Sequence, residues 1–332
     1  MRISSPNDYE KTKLLVAVAS LYYENNFSQS EIAKKLGFSR PYVSKLLAEA
    51  QNTGIVKITI NDLTQSESRI EREIRQRFEL RRAIVVPSAK VDNIHARVGV
   101  AAARYLDSIV KSGDTIAIGS GTTIYNRAEN VIERDDLEKI SVAQFNGFLT
   151  ESKQNVYEAE IVKRFASALG GVPYILPIPV LVSDLTIKDY MMREQTISEA
   201  IQKLHEANIA IFTVGIFSTS IVLKRSRIFD RKRIEAMASK GAVGDILVHF
   251  VDIWGRICDP EYDQCVTSLT LDEVKRKEYR ITVACGRAKV DAICASLNGG
   301  YTNVLITDED TAEGVQERLE LLDAGKVFSS NG

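Results

Sequence analysis

Apolar and polar positions along this chain follow two different regimes. Over the first sixty residues they recur at helical spacing. From Lys13 to Glu24, Leu14, Val18, Leu21 and Tyr22 share one helix face. Ser28-Gln-Ser-Glu31 predicts the start of a short second helix as a capping box, in which the hydroxyl accepts from the amide of Glu31 and the carboxylate reaches back. Gly37 ends that helix, because glycine is at ease with positive φ. Ser39 caps a third helix running to about Gln51, with Pro41 in a first turn that has little amide to lose. After Gly54, Ile55–Ile60 alternates like a strand. A polar stretch follows. Then Ile70, Ile74 and Phe78 recur at four-residue spacing among charges, as in a short coiled-coil seam or a linker helix packed on the next domain.

From residue 82 the period changes. Short apolar runs at Ala83–Val86, Thr115–Ile118, Ile140–Phe145, Tyr174–Pro177, Ile209–Val214, Ile246–Val251, Ile281–Ala284 and Val304–Ile306 predict strands. Helical patterns such as Ile94–Val110, Asn155–Leu169 and Ala288–Leu297 separate many of them. Strands buried on both faces and joined by helical crossovers imply a mostly parallel, Rossmann-like sheet in an α/β fold. The expected organisation is residues 1–60 as a winged helix-turn-helix, 61–80 as a linker helix and 81–332 as an effector-binding and oligomerisation domain.

Composition narrows the function classes. The 332 residues are 45% hydrophobic and 26% charged, with net charge −1, which allows a sizeable core and excludes general disorder. No apolar run reaches the roughly 18 residues of a membrane helix, and the first twenty lack the features of a secretory signal, so a cytoplasmic protein without membrane partners is expected. The cysteines, at 258, 265, 285 and 294, are too widely spaced for a zinc knuckle or a redox pair and read as buried thiols. The histidines at 95, 205 and 249 are not spaced for a metal, and no cofactor is expected. Residues 1–60 carry eight Lys/Arg against five Asp/Glu, while the remainder carries 35 against 39. That sign fits a nucleic-acid module at the front.

The spacing in 28–47 carries the sharpest signal. Two short helices crossing steeply need a small residue where their backbones approach, a glycine at the turn and apolar residues bedding one helix on the other. Ala33, Gly37 and the set Ile32, Leu36, Phe38, Val43 and Leu46 meet those needs. An ordinary helical hairpin could use the same core. The exposed face, however, offers Ser39, Arg40, Tyr42, Ser44 and Lys45, with Ser28 and Gln29 at the start of the preceding helix. These groups can contact phosphates and base edges of double-stranded operator DNA. One module makes few base contacts, so a homo-oligomer, dimer or tetramer, is expected to read paired half-sites.

A second candidate site lies at the strand ends. Thr115–Ile118 runs into Gly119-Ser120-Gly121-Thr122-Thr123 and then a helical pattern, the geometry that holds an anion. It has neither the lysine of a P-loop nor the dinucleotide fingerprint. Gln144, Asn146 and Gly147 follow one strand, Gly215 another, Gly244 and Asp245 precede Ile246, and Lys289 follows Ile281–Ala284. Ligands of open α/β sheets sit at such carboxyl ends. Hydroxyls, amides, a carboxylate and an amine there suit a sugar, with a sugar phosphate favoured. Asp245 could equally be a turn cap, and Lys289 a solvated lysine in a first helical turn.

On these residues the chain resembles the SorC-type bacterial transcriptional regulators, and within them the deoxyribonucleoside-regulator branch. The resemblance rests on Tyr22-Tyr23, Ser28–Ala33, Ser39–Ser44, Gly113-Asp114, Gly119–Thr123, Gly241–Ile246 and Gly299–Asp308. It implies a winged helix-turn-helix joined to an effector domain similar in fold to ribose-5-phosphate isomerase and CoA-transferases. It also implies a sugar or phosphosugar at the Gly119–Thr123 loop, and usually tetramers. The chain departs from that pattern at Asn146, where the branch has a lysine that forms a Schiff base with its sugar phosphate. An amide cannot form an imine, so non-covalent binding is expected. It departs also at Cys285-Gly286, where the family often has two glycines.

The function expected is therefore a DNA-binding regulator, a repressor, of a carbohydrate or polyol operon, and not an enzyme. A sugar-phosphate isomerase-like enzyme with a DNA-binding appendage would need a positioned acid/base pair. Asp245 and Glu158 are available, but nothing near the Gly-rich loop reads as a tuned pair.

Overall fold

The computed structural model describes residues 6–23, 25, 27–56, 67–88, 93–119, 134–148, 154–225 and 229–325. The chain divides into two compact units, Met1–Ser66 and Glu67–Gly332.

Among the described residues the first unit is three helices, α1 (Pro6–Tyr23), α2 (Gln29–Leu36) and α3 (Arg40–Asn52). Helix α1 starts about two turns earlier than the apolar spacing predicts, and its fully buried stripe is Leu15, Val18 and Ala19, with Leu14, Leu21 and Tyr22 packed at its margin. That stripe meets Ile32, Ala33, Val43, Leu46, Leu47 and Ala50 in one small core. The α2 capping box forms on both sides: Glu31 N donates to Ser28 Oγ at 3.3 Å and Ser28 N donates to Glu31 Oε2 at 2.8 Å. Gly37 ends α2 at φ 72°. A Ser28→Ala change is expected to cost the unit about 1 kcal/mol, the usual loss for a missing cap. Hydrogen-exchange protection of the α2 amides in the full chain would then fall several-fold. The strand expected at 55–60 lies mostly outside the described residues; Ile55 and Val56 pack on the core as bends.

The second unit is built on a seven-stranded sheet in the order β1-β10-β9-β5-β2-β3-β4, parallel throughout. The strands are β1 (Arg82–Val86), β2 (Thr115–Ile118), β3 (Ser141–Gln144), β4 (Val172–Tyr174), β5 (Ile209–Phe212), β9 (Tyr279–Val283) and β10 (Val304–Asp308). Helices cover both faces. Ile94–Ile109 and Gln154–Ala168 pack over Ile116, Val142 and Ile281, whereas Gln195–Glu206, Val290–Asn298 and Glu309–Asp323 pack over Ala117, Ala210 and Leu305. The chain steps outward from β2 through β3 to β4, then returns to β5 on the other side of β2 and continues to β9 and β10. The strand order thus reverses between β2 and β5, where such folds open a ligand crevice at the carboxyl ends.

Two expected strands divide. Ile209–Val214 breaks at Thr213, and residues after it form β6 (Val214–Ile216) of a separate antiparallel sheet. Ile246–Val251 is a hairpin rather than one strand: β7 (Ala242–Ile246) and β8 (His249–Asp252) pair antiparallel around Leu247-Val248. Both turn residues have positive φ, 52° and 73°, the twist a two-residue hairpin needs. Helix α4 (Arg69–Arg77) belongs to this second unit. It buries Ile74, and its capping residue Glu71 also accepts from Val85 N at 2.8 Å, so it satisfies an amide on the edge strand β1.

Candidate functional site

The outward face of α3 is the candidate nucleic-acid interface. Ser39 caps the helix, accepting from Tyr42 N at 3.4 Å, and Val43 and Leu46 point into the core. The alternate positions Arg40, Ser44 and Lys45 are exposed. Tyr42 leans edge-on against Phe38, ring centroids 5.2 Å apart, and keeps 42% of its surface exposed. Ser28 is exposed at the start of α2 and Gln29 is half-buried beside it. Exposed Lys34 and Lys35 in the last turn of α2 add positive charge that the sequence reading passed over, although a basic last turn was its visible signal. Lys35 Nζ sits 4.6 Å over the Phe27 ring.

The candidate ligand site in the second unit is drawn from strand ends at the reversal point. Gly119 follows β2, and its amide donates to Ile211 O at 2.8 Å, which locks β2 beside β5 at the reversal point. A Cβ on Gly119 would stand 2.9 Å from Leu247 Cδ2. Thr213, just past β5, accepts from Lys289 Nζ at 3.0 Å. Lys289 occupies the residue before the helix Val290–Asn298, so its amine turns back over the sheet. Asp245 of β7 faces Gly215 of β6 in register, and its Oδ1 lies where a Gly215 Cβ would be, 2.1 Å away. Asp245 Oδ2 accepts from Val248 N at 3.2 Å. Burial pushes the Asp245 carboxyl up, against the pull of the Val248 amide and of the Lys289 and His249 charges. Burial pushes the Lys289 ammonium down, against Cys285 and Asp245. Both charges are therefore held at a solvation cost that a ligand carrying hydroxyls and an anion can offset.

The Leu247-Val248 turn ties these parts together. Asn146 Nδ2 donates to Leu247 O at 3.0 Å and Tyr262 OH donates to Val248 O at 2.9 Å. A β-branched valine at positive φ costs energy, so the turn persists because three side chains hold it. Gln144 closes the chain of bonds, its Nε2 donating to Asn146 O at 2.7 Å. Beside β9, Cys285 Sγ lies 3.1 Å from His95 Nδ1.

Comparison with known proteins shows the family. Residues 63–316 match the family model described as "Putative sugar-binding domain". Over 314 residues, 94% of this chain and 100% of the relative, the sequence is 34% identical to the "Deoxyribonucleoside regulator" of Bacillus subtilis (strain 168). The chain belongs to the SorC/DeoR-type transcriptional regulators that carry a sugar-binding domain. It is also 29% identical over 322 residues to the "Transcriptional regulator LsrR" of Enterobacter sp. (strain 638), covering 91% of this chain and 92% of that one. The full-length sorbitol operon regulator SorC from Klebsiella pneumoniae shares the fold with a TM-score of 0.77 over 94% of this chain and 99% of that chain, at 24% identity. These relatives are named as regulators, not enzymes.

In this SorC/DeoR-type regulator the structure brings Gly119, Gln144, Asn146, Asp245 and Lys289 to one end of the sheet. Ser120, Gly121, Thr122 and Thr123 lie outside the described residues. Gly215 does not end a sheet strand as expected; it lies inside β6 as the space beneath Asp245. Gly244 is likewise a spacer, where a Cβ would stand 2.6 Å from Ala292 Cβ. Gly147 is sealed by Ile178 O, Thr267 Oγ1 and Pro179 O. The Gly286 amide, at the family's second glycine, is taken by Thr311 Oγ1 at 2.7 Å. All four cysteines are buried thiols. Among the described residues no His/Cys/Asp/Glu group could hold a metal, and no helix is long and apolar enough to cross a membrane.

Proposed function

We propose that this regulator controls a carbohydrate or polyol catabolic operon, and that a sugar phosphate bound non-covalently in the crevice sets its grip on operator DNA. The observation that carries the reading is the placement of two half-buried charged groups near the reversal point, Asp245 facing Gly215 of β6 and Lys289 bonded to Thr213 just past β5. A carboxylate accepts from paired hydroxyls, and a desolvated ammonium recovers its charge beside a phosphate. Asn146 has no amine, and its amide is already engaged with Leu247 O, which supports binding without a covalent imine. On the DNA side, Ser28, Gln29, Ser39, Arg40, Tyr42, Ser44 and Lys45 form the reading surface. Two copies on a two-fold axis, as a dimer or within a tetramer, read half-sites one turn apart, and a coupling of about 1–3 kcal/mol gives a 5–150-fold change in DNA affinity. No catalytic role is assigned to any residue.

A thermal-shift panel of sugars, polyols and their phosphates tests this on the full-length protein. A specific ligand at about 100 times its Kd adds about 2.7 kcal/mol, a rise of roughly 5–10 °C. Lys289→Ala is expected to erase the preference for phosphate over free sugar, and Asp245→Asn to weaken both. Binding of a ligand that leaves operator affinity unchanged would defeat the regulatory reading.

A further inference from the structure

Gln144 is the last residue of β3, in register with Ile118 of β2, one step before Gly119. It is only 3% exposed. Its carboxamide cannot be turned over: Nε2 donates to Asn146 O, and a flip would set two oxygens face to face. Asn146 is fixed in turn, by its own bond to Leu247 O. The orientation of the amide is thus settled by a chain of bonds that ends on the clamped turn. Its other atom, Oε1, is buried and has no hydrogen-bond partner among the described residues. An orphaned acceptor of this kind costs free energy, and only a donor can repay it. A phosphate oxygen or a carbonyl would be repelled there.

From these bonds we infer that Gln144 is the specificity-determining residue of the crevice, which demands a hydroxyl donor from the ligand and rejects the analogue that lacks it. The inference rests on the reading of the crevice as a sugar-phosphate site and deepens it by giving the ligand a direction. Lys289 Nζ reaches Thr213 beyond β5, and Gln144 ends β3, two strands away. Two strand spacings amount to roughly 10 Å, a span that a phosphorylated pentose or hexose bridges with its phosphate at one end and a hydroxyl at the other. The class is therefore a sugar or polyol monophosphate with a free hydroxyl remote from the phosphate. A site built around a hydroxyl discriminates far more strongly than an apolar pocket, because loss of the partner leaves a buried group unpaired.

Matched pairs provide the test on the full-length protein: D-ribose 5-phosphate against 2-deoxy-D-ribose 5-phosphate, D-glucose 6-phosphate against its singly deoxygenated analogues, and D-fructose 6-phosphate against 1-deoxy-D-fructose 6-phosphate. For the sugar that binds, removal of one particular hydroxyl is expected to weaken affinity roughly 10–100-fold in the wild type. In Gln144→Met, which keeps volume but replaces the amide oxygen by a thioether that accepts only weakly, that ratio is expected to shrink to within about threefold. A merely structural role would lower affinity for both members of a pair and leave their ratio intact. Equal binding of every pair by the wild type, or an undiminished ratio in Gln144→Met, overturns the inference and leaves the sugar-phosphate site standing. A panel in which nothing binds overturns the site itself and the inference with it.

Discussion

An Arg40→Ala, Lys45→Ala double variant is expected to bind operator DNA at least about 100-fold more weakly than the wild type, with its fold unchanged. A specific contact to a base edge is worth about 1–3 kcal/mol, and every loss counts twice when two modules grip one operator. Lysine and arginine that pair with phosphates also set the salt slope of binding, by about one unit of slope per phosphate released. The variant should therefore bind less tightly and respond less steeply to salt. The fold is spared because both side chains are exposed, while Val43, Leu46, Leu47 and Ala50 alone bury α3 in the core. Fluorescence anisotropy at three or more salt concentrations, with circular dichroism as the control for folding, reads both quantities. An unchanged slope together with retained affinity would mean that α3 is an ordinary packed helix and that the basic face of the unit lies elsewhere.

What the sequence disclosed and what it withheld divide along a physical line. Signals carried within three or four residues were legible. The Ser28–Glu31 box, the positive φ of Gly37 and the Ser39 cap all form as read. The parallel sheet was legible too, because strands buried on both faces leave continuous apolar runs. The same capping logic was present and overlooked at Ser68–Glu71, where the box starts α4. The hairpin at Leu247-Val248 was not legible, since leucine and valine give no hint of positive φ and it is side chains distant from the turn, with Asp245, that hold it there. Asp245 and Lys289 were flagged from their places beside strands. Their gathering at the carboxyl ends was expected as well; what stayed out of view was the packing of the helix Val290–Asn298 against β7, a contact between segments remote in sequence. The orphaned acceptor of Gln144 is still further from view, as it follows from a bond geometry that no composition or period encodes.

Gly147→Ala is expected to destabilise the second unit by about 3 kcal/mol, lowering its melting temperature by roughly 6–12 °C. The reason is space rather than conformation. A Cβ there would stand 2.3 Å from Ile178 O, 2.7 Å from Thr267 Oγ1 and 2.8 Å from Pro179 O, and two of these are backbone atoms that no rotamer change can move. They are also in use. Phe148 N donates to Ile178 O at 2.7 Å, Thr267 Oγ1 donates to Pro179 O at 2.6 Å, and Val180 N donates to Phe148 O at 2.8 Å. Making room for one methyl group therefore stretches several hydrogen bonds at once, beside a segment that also holds Asn146 and through it the Leu247-Val248 turn. Gly113→Ala supplies the contrast. Gly113 has φ 90° but nothing within 4 Å of its missing Cβ, so alanine there meets only the conformational penalty, about 1 kcal/mol. Calorimetry on the two variants separates the causes. Should Gly147→Ala melt no lower than Gly113→Ala, the backbone around residues 146–148 yields more readily than these contacts imply. The Gln144–Asn146–Leu247 chain would then be too soft to hold an acceptor in one orientation.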